Sequence, residues 1–389
     1  RNACLLVKKA YYRRLYVNTS KRRELMSSYL FTSESVSEGH PDKICDKIAD
    51  KILDSALEVD PNSKMAVEAT IKDNLVFIYG ECNTLANLNF KEIANEVLKD
   101  IGYNEDFEIL EKVSKQSNEI NKAVTKDKIS AGDQGIMFGY ATNETKEFMP
   151  LPIILANKLA KKLSEVRRSK EIDWLLPDGK TQVTIEYIDN IPKRVDTIII
   201  ACQHTSEATD IEKEITEKVI KKVVPVELLK DTKILINTSG SFIIGGPYAD
   251  SGTTGRKIIV DTYGGMGRIG GGWLSSKDPS KVDRSGAYYA RFVAKNIVAH
   301  NLCDKCEIQV SYAIGLDKPI SIYLDTFNTE KVSKEDIYKF INDNFDFSVD
   351  NIIKELNLNR PIYYQIASYG HFGRNDLNLP WERIKEAGN

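Results

Sequence analysis

The stretch Met65-Ala66-Val67-Glu68-Ala69-Thr70, Lys72-Asp73-Asn74, Leu75-Val76-Phe77-Ile78-Tyr79 decides the fold class. Two runs rich in β-branched and aromatic residues flank a short polar break, which is the signature of an antiparallel hairpin. A second pair reads the same way, Val183–Tyr187 and Asp196–Cys202, around a turn near Asp189-Asn190. Ahead of the first hairpin, Pro41–Glu58 predicts a helix. Ile44, Ile48 and Ile52 form an apolar stripe at helical spacing, and Pro41 suits the first helical position. Leu151–Val166, Ile211–Val224 and Arg284–Leu302 are further expected helices, and Lys334–Phe345 is expected to close the chain. Lys233–Ile236, Arg256–Tyr263 and Glu307–Ile314 are expected strands. Helices alternating with hairpins argue for an α+β fold with helices on one face of each sheet, not a parallel doubly wound sheet. The chain shows no sequence repeat.

The 389 residues, 42% hydrophobic and 28% charged, fit two or three globular domains. No apolar run approaches the roughly 20 residues that span a bilayer, so no membrane partner is expected. Residues 1–25 carry a net charge of +7 and the remaining 364 residues −9. That acidic body disfavours a nucleic-acid partner. The basic leader, residues 1–27, has the Arg-rich, acid-poor composition of an organelle-targeting segment, but the favoured reading is a stretch ahead of a natural start at Met26. It is set apart from the functional reading. Six scattered cysteines fit free thiols in a reducing, cytoplasmic setting. Cys303 and Cys306 have metal-ligand spacing, but no second pair completes a zinc site.

Three segments carry chemistry. Residues 245–284 hold ten glycines, six Lys/Arg and four Asp. Glycine-rich backbone can present N–H groups to an anion, cations neutralise it, and interleaved aspartates fit a divalent ion between them. The pattern suggests a polyphosphate–Mg²⁺ site. Within it Gly265-x-Gly267-x-x-Gly270 matches a dinucleotide fingerprint but lacks the helix that should follow. Gly179-Lys180-Thr181 lacks the first glycine of a P-loop, since Trp174 stands there. The second segment, Thr32–Lys43, puts His40 and Asp42 at the start of the first helix, where amides attract anions. The third, Ala131–Ala141, puts small residues and Asp133 before a strand. The polar stretch Lys112–Ile129 ahead of it is a lid candidate.

Together these stretches resemble the S-adenosylmethionine synthetase (methionine adenosyltransferase) family. The motifs are Phe31–Lys43, Gly132–Gly135 with Met137–Thr145, Gly255–Gly265, Lys277–Ser285, Cys306–Gly315 and Tyr369–Arg374. The resemblance implies three similar α+β domains around a pseudo-threefold axis, with bounds at 28–126, 127–242 and 243–385. It implies homodimers with active sites at the subunit interface, often paired into homotetramers, and leaves dimer and tetramer open for this chain. The implied substrates are ATP and L-methionine, and the implied cofactors are Mg²⁺, two per site, and K⁺.

By motif match, His40, Lys180, Arg256, Lys257 and Lys277 should surround the triphosphate. Asp42 and Asp283 should bind Mg²⁺, and Glu68 K⁺. Glu81, Gln116, Asp133 and Lys281 should contact methionine, with Asp250 beside both substrates. Phe242 should stack on adenine near Asp178. The family reads Arg where this chain has Ser241, a small residue where it has Trp273, and Gly where it has Ala249. Ser241 and Trp273 lie at the ATP site by this match. The other readings are a degenerate paralogue that binds ATP or S-adenosylmethionine without turnover, and a kinase or ligase.

Overall fold

In the computed structural model, which describes residues 27–115 and 129–386, one order of elements recurs three times. The first round is β1 (Ser28–Val36), α1 (Pro41–Val59), the hairpin β2 (Lys64–Lys72) and β3 (Leu75–Asn83), α2 (Phe90–Ile101) and β4 (Glu108–Lys115). The second is β5 (Gly135–Thr142), α3 (Leu151–Arg168), the hairpin β6 (Leu175–Ile188) and β7 (Ile191–His204), the helical run α4 (Ile211–Ile215, a π turn at Thr216–Ile220, Lys221–Val223) and β8 (Lys233–Ile236). The third is β9 (Gly252–Thr253), the short α5 (Ile258–Asp261), α6 (Val282–Ala299), the hairpin β10 (Lys305–Tyr312) and β11 (Ser321–Asp325), then α7 (Lys334–Asn344) and α8 (Val349–Glu355). No fourth strand closes this third round among the described residues.

Each round lends its first strand to another round's hairpin. β1 pairs antiparallel with β6, β5 with β10, and β9 with β2. The sheets therefore run β1-β6-β7-β8, β5-β10-β11 and β9-β2-β3-β4. β4 and β8 are parallel to β3 and β7, as strands reached through a helix can be. The exchange is cyclic, the topological counterpart of a threefold arrangement. α1 packs on β2, α3 on β6 and β1, and α6 on β5 and β10.

Both expected hairpins form, with turns that carry positive φ at Asp73 and at Asp189 and Asn190. Ile44, Ile48 and Ile52 are buried in the core as expected. Three expectations need correction. Arg256–Tyr263 is not a strand. It holds the short helix α5, because Asp261 is drawn to Lys43 of α1 and Gly264 N–H closes on Ile259 O at 3.0 Å. Lys334–Phe345 does not close the chain, since α8 and a wrapping segment follow. Lys112–Lys115 belongs to strand β4, not to a loop, and the rest of the lid candidate, including Gln116, lies outside the described residues. Residues 1–26 of the basic leader lie outside them as well.

Candidate active site

Helix α1 carries Asp42, Asp46, Asp50 and Asp54 at four-residue intervals, so all four fall on one stripe. Each is buried, and each holds a different piece of chain. Asp42 accepts Thr253 N–H at 3.0 Å and Lys257 Nζ at 2.5 Å. Asp46 accepts Gly255 N–H at 2.9 Å and Lys43 Nζ at 3.0 Å. Asp50 takes Arg284 in a two-pronged pair, 2.8 Å on each oxygen, and Ser276 N–H at 2.8 Å. Asp54 accepts the N–H groups of Tyr363 and Tyr364. Of the four, only Asp42 is expected at the site from the motif match. The i, i+4, i+8, i+12 spacing was the signal for the other three.

A first polar group gathers at the start of α1. His40 caps the helix, its Nδ1 accepting Asp42 N–H at 3.2 Å. The neutral ring therefore carries its proton on Nε2. Burial pushes His40 down to about 4. The nearby Lys257 and Lys180 ammoniums add to this, while Asp42 and Asp250 oppose it. Arg256 Nε lies 3.3 Å from Asp42. Lys180 arrives from β6 because β1 pairs with it at Val36↔Lys180, and its ammonium is 3.8 Å from Glu34. Asp178, two residues earlier, accepts Gly246 N–H at 2.8 Å and is pushed up to about 6 by burial. The structure thus brings together His40, Asp42, Asp178, Lys180, Asp250, Arg256 and Lys257.

A second group gathers at the start of α6. Lys277 Nζ sits 2.6 Å from Asp283 and 4.5 Å above the Trp273 ring. Glu68, on β2, accepts Tyr79 O–H at 3.3 Å. Burial raises its carboxyl, while that hydrogen bond and the Lys277 charge hold it down. Glu81 on β3 is level with Ala66, which bridges to Lys277. Lys281 pairs with the fully buried Asp278 at 2.5 Å. The lysine and the Ser280 donors hold Asp278 at about 2 against its burial. Asp133 is exposed on the loop before β5, where it accepts Gln134 N–H. No ion pair among the described residues joins Asp42 to the Lys277–Asp283 pair.

Phe242 is tied to β7 from both sides. Its N–H donates to His204 Nε2 at 3.0 Å, and its carbonyl accepts His204 N–H at 2.9 Å. Its neighbour Ser241 is exposed. Ala249, at φ −88°, needs no glycine. Ser276, a non-glycine residue, sits at φ +75°. Beyond Gly270 no helix opens before Val282, so the dinucleotide match is accidental. Cys303, just before β10, and Cys306, within it, are buried thiols. A cleft of about 310 Å³ between α3 and the 368–376 loop holds none of the expected residues. Its Glu147 and Asp376 are already paired with Lys158, Lys161 and Arg374.

No group of three or more His, Cys, Asp or Glu side chains that could hold a metal occurs among the described residues. Asp42 and Asp283 are each a single carboxylate facing a lysine. That donor set fits Mg²⁺, which is usually held by one or two carboxylates and completed by phosphate oxygens and water.

Residues 28–126 match the model of the S-adenosylmethionine synthetase N-terminal domain, 128–242 the central domain and 244–383 the C-terminal domain. The chain is 52% identical over 378 residues to the S-adenosylmethionine synthase of Clostridium acetobutylicum, covering 91% of this chain and 97% of the relative. It is 51% identical over 380 residues to that of Clostridium tetani, covering 92% and 97%. No helix of the described residues is long and apolar enough to cross a membrane. With both polar groups inside these matches, the chain belongs to the S-adenosylmethionine synthetase family.

Proposed function

We infer that this chain makes S-adenosylmethionine from ATP and L-methionine. The methionine sulfur attacks C5′ of ATP, forming the S–C5′ bond as the C5′–O bond breaks. The electron pair leaves with the triphosphate, which water then cleaves to pyrophosphate and phosphate. The observation that carries this reading is the convergence of Lys180, Arg256 and Lys257 on the amide end of α1, beside a neutral His40.

A thioether is nucleophilic without a base, so the barrier is charge build-up on the departing oxygen. Cations and oriented donors lower it. His40 Nε2–H is the donor for the leaving oxygen. Lys180, Arg256, Lys257 and Lys277 hold the triphosphate, and Asp178 and Asp250 lie toward the nucleoside, with Phe242 against adenine and Ser241 beside it. Glu81, Gln116, Asp133, Asp250 and Lys281 take methionine. Asp42 and Asp283 would hold Mg²⁺ and Glu68 K⁺, and these ions would neutralise the developing phosphate charge when bound.

The Asp42 and Asp283 groups share no ion pair among the described residues, and this supports a homodimer in which one copy's first group faces the second group of another. The half-exposed stack of Phe77 on Tyr79, ring centroids 5.3 Å apart, and the exposed Ile243 and Ile244 offer apolar surface for such a partner. Pairing of dimers into a tetramer follows the family. We divide the chain at 28–126, 127–242 and 243–385. Buried free thiols support a reducing, cytoplasmic setting. Every Asp and Lys matched at the metal and triphosphate positions is retained, which weighs against the degenerate reading although Ser241 replaces an Arg of the family motif.

The test is an end-point assay with ATP, L-methionine, Mg²⁺ and K⁺. The expected products are S-adenosylmethionine by mass, with equal phosphate and pyrophosphate by ³¹P NMR. ADP release would point to a kinase and overturn the reading. In the same assay Lys180→Ala should lose about 10- to 100-fold in kcat/KM for ATP, the range of one charged hydrogen bond. Unchanged kinetics would remove Lys180 from the site.

A further inference from the structure

We infer that Trp273 is a positioning residue, whose indole face holds the Lys277 ammonium against Asp283. The inference rests on the reading that Lys277 meets the triphosphate. The backbone of Lys277 is already fixed. Ser276 N–H donates to Asp50 at 2.8 Å, Arg284 donates to Lys277 O at 3.1 Å, and Lys277 bridges to Ala66 of β2. What remains free is a four-carbon stem ending in a mobile point charge.

The side-chain end is caught between two groups. Asp283 takes the ammonium at 2.6 Å, and the ring centroid of Trp273 lies 4.5 Å beneath it. A cation over an indole face at this range is attracted by the ring quadrupole. The ring in turn lies against Gly255, where any side chain would bring its first carbon within 2.3 Å of the indole. Nε1 of Trp273 is buried and has no hydrogen-bond partner among the described residues. A buried indole N–H ordinarily finds one. Face contact is therefore what holds this ring in place. One side chain thus spans the loop that carries Arg256 and Lys257 and the arm that carries Lys277. Losing the ring leaves Lys277 paired with Asp283 alone and free to swing.

The test is a double-mutant cycle in the full-length protein with Trp273→Leu and Lys277→Met, read twice. One readout is kcat/KM for ATP. The other is the affinity for inorganic triphosphate by calorimetry, which needs no turnover. Trp273→Leu should weaken both by about 3- to 30-fold. Trp273→Phe, which keeps an aromatic face, should recover most of that loss. In the Lys277→Met background, Trp273→Leu should cost less than about twofold, because its route of action is gone. An equal cost in both backgrounds, or a Phe variant as poor as Leu, overturns the inference. A wild-type chain that makes no S-adenosylmethionine overturns the functional reading instead. If that chain still binds triphosphate with the coupled pattern, the positioning role stands without it.

Discussion

A buried carboxylate whose nearest donors are two backbone amides is poorly compensated for its charge. Asp54 is in that position, facing Tyr363 N–H and Tyr364 N–H at 6% exposure. Burial pushes it up to about 7. The amides and Arg284 pull it down, and Asp50 pushes it further up. An unfolded aspartate titrates near 3.9. The folded chain therefore binds more protons between about 4 and 7. This contribution to stability is full below about 4 and is lost as pH rises through about 7. Asp54→Asn removes the titration. Its stability relative to the parent should improve as pH rises from 5 to 7, by up to about 1.4 kcal/mol per pH unit. Urea midpoints across that range read the difference, and a constant offset would mean that Asp54 is ionised throughout. At this scale much of the site could be read from sequence. His40, Asp42, Arg256 and Lys257 announce themselves as charge beside glycine and a helix start. Asp46, Asp50 and Asp54 show the same spacing, yet a stripe of acids on a helix ordinarily reads as a solvated face. Only the packed structure shows that every one is buried.

Elements whose signal is local match their expectation, and the one governed by distant contacts does not. The Lys72–Asn74 and Asp189-Asn190 turns state their geometry in residues that tolerate positive φ. Ile258-Ile259-Val260 has strand composition, yet it coils because Lys43 holds Asp261 at one end and Asp46 holds Gly255 at the other. Tertiary contacts override a propensity worth at most about 1 kcal/mol. Gly255 sits at φ +82° against the Trp273 ring, while Gly240 sits at φ +94° with nothing within 4 Å of a would-be side chain. The pair separates backbone strain from packing. Gly240→Ala should cost about 1–2 kcal/mol, from the left-handed backbone alone. Gly255→Ala should cost at least about 2 kcal/mol more, because the indole must also move. Chemical denaturation of both variants measures it. Equal losses would mean that Trp273 repacks freely.

At the scale of the molecule, the cyclic lending of strands makes each third depend on another. The alternation of β1 indicates which side chains face inward but not which sheet receives it, because its partner lies far along the chain. Thr32 and Thr184 bond through their hydroxyls at 2.8 Å although 152 residues apart. That is why the element order was legible and the pairing was not. The exchange also has an energetic consequence. A fragment spanning residues 129–242 would keep β6, β7 and β8 but lose β1, which pairs with β6 over nine positions and whose Ser35 bonds Asn157 of α3 at 2.6 Å. It would keep β5, whose buried Met137 and Tyr140 belong to the core shared by the other two thirds. One sheet edge would be open and one apolar strand unpartnered, the arrangement that invites pairing between copies. Such a fragment should show no cooperative thermal transition, poorly dispersed amide resonances and a tendency to aggregate, whereas the full chain unfolds cooperatively. A fragment that melted sharply as a monomer would show that the lent strands decorate three self-sufficient domains. The expected failure would show that the folding unit is the whole ring of three, which also fixes the two polar groups at the starts of α1 and α6.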